Sequence, residues 1–137
     1  MKYGFIRTAA ATPFVKVADC KYNTDNIIAC INEAYGNNTE LIVFPELCIT
    51  GYTCGDLFSQ RRLISSAMEN ISRLKKATLN KNIITVIGFP FEYIGNLYNC
   101  AAVLYKGSVL AVVPKSFLPN YNEFYEMRWF KEAIKDT

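Results

Sequence analysis

The 137-residue chain contains no histidine. Without an imidazole, neither a Ser-His-Asp nor a Cys-His arrangement can be assembled from these residues. Five cysteines are present (Cys20, Cys30, Cys48, Cys54 and Cys100), but no two stand in a C-x-x-C spacing. Neither a zinc site nor a disulfide framework is therefore expected, and the thiols read as reduced residues, most of them in the core. Glycine is sparse, at seven residues, and none lies in the turn "TAAATPFVKVAD" that follows the first apolar segment. A dinucleotide-binding fold needs glycine there so that backbone amides can approach phosphate, which discounts that class.

A basic block is missing too. Net charge is only +3, with fifteen Lys and Arg scattered among twelve acids, so neither nucleic acid nor a membrane surface is an expected partner. No apolar stretch approaches the roughly 20 residues that span a bilayer. The opening "MKYGFIRTAAATPFVKV" is broken by Arg7 and Lys16 and lacks the continuous apolar region of a signal peptide, so a cytoplasmic location is expected.

What is present is a globular pattern, 51% hydrophobic and 20% charged, of a size that suits one domain. "YGFIRTAAA" from Tyr3 reads as a strand. "YNTDNIIACINEAYGNN" reads as a helix, with Asn23, Thr24 or Asp25 as its cap and Gly36-Asn37 as its stop. "ELIVFP" reads as a strand covered on both faces. From Asp56, a plausible cap, to about Asn80 the chain reads as a second helix, with Ile64, Ala67, Met68, Ile71 and Leu74 on one stripe. "NIITVIGFP" is a third strand, and residues 96 to 116 are two more joined at Lys106-Gly107. Helices alternating with the early strands imply parallel pairing, and the late hairpin makes the sheet mixed.

Two charged residues stand out, each after a proline that closes an apolar strand: Glu46 after "LIVFP" and Lys115 after "VLAVVP". Ligands of open α/β sheets bind at the carboxyl ends of strands, where both side chains are delivered. A carboxylate there can act as general base, and a fixed ammonium can stabilise a developing oxyanion.

These motifs carry a resemblance. "VFPELCITGY" with "VVPKSFLPNYNEFYEMRWF" resembles the nitrilase, or carbon-nitrogen hydrolase, superfamily, whose site is a Glu-Lys-Cys triad. "ELCITGYTCGDLF" and "LPNYNEFYEMRWF" narrow it to the glutamine-hydrolysing domains of the glutamine-dependent NAD+ synthetase family, over nearly the whole chain. The resemblance implies an α/β fold, the first portion of an α-β-β-α sandwich, with residues 1–137 as a partial carbon-nitrogen hydrolase domain. It implies Glu46 as base, Lys115 as oxyanion-stabilising cation, and Tyr52 and Tyr121 in a glutamine pocket. It also implies a second glutamate near the lysine, for which spacing from Lys115 favours Glu123 over Glu126, the latter being equally readable as a surface residue or a partner of Arg128. Glutamine is the implied substrate. ATP and magnesium are implied only for a synthetase domain outside this chain, within a homo-oligomeric parent enzyme.

The family's nucleophilic cysteine lies downstream of the lysine, and no cysteine follows Lys115 here. Cys48 stands two residues from Glu46, too near to be presented opposite it, and neither Cys48 nor Cys54 matches the family's cysteine motif. The expectation is that these residues alone do not hydrolyse glutamine. Two other readings are a free-standing amidase or carbamoylase that shares Glu46 and Lys115, and a fragment that folds without chemistry.

Overall fold

Five strands form one sheet in the order β1 (Thr8–Ala10), β2 (Leu41–Val43), β3 (Ile84–Tyr93), β4 (Asn96–Tyr105), β5 (Ser108–Pro114). The computed structural model describes residues 3–133. β1, β2 and β3 are parallel, whereas β4 and β5 are added antiparallel. Helix α1 (Cys20–Gly36) connects β1 to β2, and α2 (Arg61–Thr78) connects β2 to β3. Parallel neighbours that step in one direction through right-handed crossovers place both helices on the same side of the sheet. The two helices pack against each other there.

The core lies under them. Ile27 and Ile31 of α1, Ala67 and Leu74 of α2, and Ile42, Ile87, Ala102 and Leu104 of the sheet are all essentially sealed from solvent. Full burial of each Leu or Ile contributes about 1.5–3 kcal/mol relative to exposure. Among the described residues no helix lies on the sheet's other face, so β2 is covered on one side and not on both as its sequence led one to expect. Val43 pairs with Val86, Gly88 with Ala101, and Ala101 with Val113, so these residues share one face. Val43 is 40% exposed and Val113 56%.

Several element ends differ from expectation. The first strand is only three residues long, and residues 3–7 before it are solvent-exposed. Helix α1 starts a turn early, because Asp19 accepts from the Tyr22 amide and caps it. Asn23 and Thr24 are consequently inside the helix and fully buried. The Asn23 side chain exchanges two hydrogen bonds with the Lys16 backbone and donates a third to Ile49 O, which pins the loop after β2 to the helix. Met68 lies off the buried stripe of α2, which runs instead through Leu63, Ala67, Asn70, Ile71, Leu74 and Thr78. The Lys106-Gly107 hairpin is present with both residues at positive φ, and a second tight turn at Ile94-Gly95 joins β3 to β4.

Candidate functional site

Glu46 follows β2 in a loop that crosses β3 on the sheet's open face. The crossing is close: a Cβ on Gly88 would lie 2.5 Å from Leu47 N, 2.5 Å from Pro45 O and 2.7 Å from the Glu46 Cα. Only glycine at this strand position leaves room for the loop. Leu47 then takes a positive φ, and the Gly51 amide closes the turn on Leu47 O at 2.8 Å.

Lys115 follows β5 with its amide bonded to Asn99 O at 2.8 Å, one strand in from the edge. Its Nζ donates to Glu46 Oε1 at 2.6 Å, so the two strand-end residues meet as their placement in sequence leads one to expect. Nζ also donates to Glu126 Oε1 at 3.0 Å. Partial burial pulls the ammonium's pKa down, but the hydrogen bonds and charges of Glu46 and Glu126 outweigh it and the net displacement is upward. Lys115 is therefore a cation throughout the neutral range.

Glu126, not Glu123, is the second carboxylate beside the lysine, which corrects the assignment made from spacing. Glu126 begins a short 3-10 turn (Glu126–Arg128), and its side chain is only 3% exposed, whereas Glu123 is solvent-exposed. Tyr52 Oη donates to Glu126 Oε1 at 2.7 Å. Burial first, and then the Glu126 carboxylate, push the Tyr52 phenol well above its usual range, so it remains a donor. Glu126 Oε2 is buried and accepts no hydrogen bond among the described residues.

Arg128 does not pair with Glu126. Its guanidinium makes a two-pronged contact with Asp56, at 2.8 Å and 3.1 Å, and Trp129 Nε1 donates to the same carboxylate at 3.0 Å. The Arg128 contact first, then Trp129, lowers the Asp56 pKa to about 2. Asp56 is thus not the cap of α2, which begins five residues later behind Gln60; it lies in a 3-10 turn (Gly55–Ser59). Phe58 of that turn packs edge-on against Phe130 at 4.9 Å. Together these contacts hold the Glu126 segment against the loop that follows Glu46.

Tyr121 is 65% exposed and touches Phe124, which in turn meets Tyr52 edge-on. An aromatic row therefore leads from the buried end of the site to solvent. Sequence reasoning missed Asn99 of β4, which is 2% exposed and donates from Nδ2 to Glu46 Oε1 at 2.6 Å. It missed Gly88 as well, although a lone glycine inside an apolar strand signals a close backbone approach.

Cys48 and Cys54 are both buried in the loop that carries Glu46. Cys48 is buried, its thiol donates to Gly88 O, and burial pushes its pKa up to about 12. Cys54 donates to the Thr50 and Gly51 carbonyls. Both thiols contact backbone carbonyls of the loop or of the strand beneath it.

Residues 6–135 match the family model described as carbon-nitrogen hydrolase. The chain belongs to the carbon-nitrogen hydrolase family. It is 34% identical over 125 residues to a glutamine-dependent NAD(+) synthetase of Mycobacterium leprae, a match that covers 91% of this chain and 18% of that protein. The crystal structure of a glutamine-dependent NAD(+) synthetase from Cytophaga hutchinsonii superposes with a TM-score of 0.90 at 33% identity, over 96% of this chain and 22% of that one. An amidase from Nesterenkonia sp. shares the fold, with a TM-score of 0.83 at 23% identity, and this chain spans 49% of it. The chain thus covers about a fifth of the synthetases that it matches and half of the amidase. The mixed α/β fold with one sheet and two helices is that of the nitrilase family.

Proposed function

We propose that this chain forms part of the glutamine-hydrolysing, ammonia-supplying domain of a glutamine-dependent NAD+ synthetase. The observation that carries the reading is the 2.6 Å contact of Glu46 with Lys115 on the open face of the sheet, with Tyr52 and Glu126 behind it. A carboxylate and an ammonium within reach of one reacting atom form two thirds of an acyl-transfer site. The family's third member is a cysteine thiol supplied from outside the described residues.

In the reaction Glu46 accepts the proton of that thiol, and the sulfur attacks the side-chain amide carbon of glutamine. Lys115 holds the oxyanion of the tetrahedral intermediate. When the C–N bond breaks, Glu46 returns the proton to the departing nitrogen, and ammonia leaves a thioester. Water activated by the same carboxylate cleaves the thioester to glutamate and regenerates the thiol. Tyr52, Tyr121 and Glu126 line the glutamine side of this pocket. Among the described residues no three His, Cys, Asp or Glu side chains gather as metal ligands. On this reading, ATP and magnesium act in the synthetase portion, where the ammonia is used.

The test is nitrogen-source dependence in the full-length protein. Glu46→Gln should lower glutamine-supported NAD+ synthesis by at least about a hundredfold and leave ammonia-supported synthesis nearly unchanged. An equal loss with both nitrogen sources, or no loss with glutamine, overturns the assignment.

A further inference from the structure

Glu46 Oε1 receives two donors. Asn99 Nδ2 and Lys115 Nζ each stand 2.6 Å from it. A carboxylate oxygen has two in-plane acceptor directions, so this pair fills them. Oε2 accepts no hydrogen bond among the described residues, and the Glu46 side chain is 43% exposed. The two oxygens of one carboxylate are therefore chemically distinct before any substrate arrives.

Asn99 is placed for this by the sheet. It lies on β4 opposite Pro90, and its carbonyl points the other way, to the Lys115 amide. That orientation puts Pro90 at a position of the β3–β4 pair where its missing N–H costs no ladder bond. The open face of β4 at Asn99 is the face of Gly88 and Ala101, over which the Glu46 loop crosses. One residue thereby sets both partners: its backbone registers Lys115, and its buried side chain registers Glu46.

We propose that Asn99 is a positioning residue for the Glu46 base, filling Oε1 together with Lys115 so that Oε2 is the oxygen that takes the proton of the nucleophile. The proposal rests on the amide-hydrolysis reading above. The charged and titratable groups around Glu46 are Lys115 at the end of β5, Glu126 in the 3-10 turn, and Tyr52 in its own loop. Losing the Asn99 donor favours the neutral carboxyl over the ionised one, because a hydrogen bond to the charged form is removed.

Two measurements test this. In the full-length protein, Asn99→Leu removes the donor at similar volume, and Asn99→Asp replaces it by an acceptor of the same shape. Both leave the backbone bond to Lys115 in place. The acid limb of kcat/KM for glutamine hydrolysis should move up by about one pH unit or more in Asn99→Leu, and further in Asn99→Asp, with KM within about twofold of wild type. A residue that only supports the fold lowers the rate at all pH values without moving the limb, so an unmoved limb in both variants overturns the proposal. In the 137-residue chain, the Asn99 side-chain amide protons should resonate apart from those of exposed asparagines and lose that offset in Glu46→Ala. An Asn99 amide signal indifferent to Glu46→Ala shows that the contact is not made and overturns the positioning role. Wild-type protein that hydrolyses no amide, with the amide signal responding as expected, overturns the proton-acceptor role and the functional reading together while the contact stands.

Discussion

The Cα of Glu46 lies 2.7 Å from the point where a Cβ on Gly88 would stand. No real Cβ tolerates such a contact, and the nearest atoms on every side are backbone, so no side chain can swing away to relieve it. Gly88→Ala must therefore lift the Glu46 loop off β3. The expected cost in stability is about 1–3 kcal/mol, typical of overpacking, read from urea denaturation. On the proposed function, glutamine turnover in the full-length protein should fall by more than that loss of folded protein explains, because a 1 Å displacement of the base costs on the order of a hundredfold. A Gly88→Ala protein with full turnover would mean that the base does not depend on the crossing.

Lys115 serves two carboxylates, and a double substitution separates its roles. Lys115→Ala leaves the buried Glu126 without its cation, which should cost about 3 kcal/mol or more in stability. Adding Glu126→Gln removes the stranded charge and should restore most of that stability. On the proposed function it should not restore glutamate release by the full-length protein, which falls by at least about a hundredfold when an oxyanion donor of about 2.7 to 4 kcal/mol is lost. Recovery of activity along with stability would reduce Lys115 to a structural counter-ion.

The placement of Glu46 and Lys115 was legible because both follow apolar strands that run the same way: β5, antiparallel to β4, points in the direction of β2 and β3, so the carboxyl ends of β2 and β5 share one edge. What lay between them was not legible. Asn99 sits in "LYNCAAVLY", where strand alternation gives no sign that one polar residue faces a carboxylate 53 positions earlier. Glu126 could not be told from Glu123, because residues 116–130 have no period and spacing carries no direction in irregular chain. The cap of α1 was missed by a turn for a related reason: Asn23 and Thr24 look like ideal caps, but tertiary contacts to Lys16 and Ile49 claim Asn23 for the helix interior. Asp56 likewise has the identity of a helix cap and the function of a cross-link.

Cysteine reactivity gives a third expectation. Burial pushes all five thiols up, but Cys30 is partly exposed whereas Cys20, Cys48, Cys54 and Cys100 are buried. Thiolate is the reacting form, so iodoacetamide at pH 8 should modify Cys30 first and leave Cys48 intact until the chain unfolds. Peptide mass spectrometry over time gives the order. Rapid labelling of Cys48 in folded protein would contradict its hydrogen bond to Gly88 O and reopen it as a nucleophile.

The Asp56 cross-link has its own reporter, since Trp129 is the chain's one tryptophan and its indole N–H lies on the carboxylate. The Asp56 pKa is lowered to about 2 in the folded protein, chiefly by Arg128. A depressed carboxyl contributes stability that is present above its unfolded pKa of about 3.9 and is lost as pH falls through the folded value. Trp129 fluorescence should therefore hold steady down to about pH 3 and change below it, half-way near pH 2, as the contact is released. Asp56→Asn, which keeps the shape and removes the charge, should show the released signal already at pH 7. It should also loosen the Glu126 segment and raise KM for glutamine in the full-length protein, because Arg128 ends the turn that Glu126 begins and Trp129 caps it. A fluorescence signal identical in the two proteins from pH 7 to pH 2 would show that Asp56 does not hold that turn.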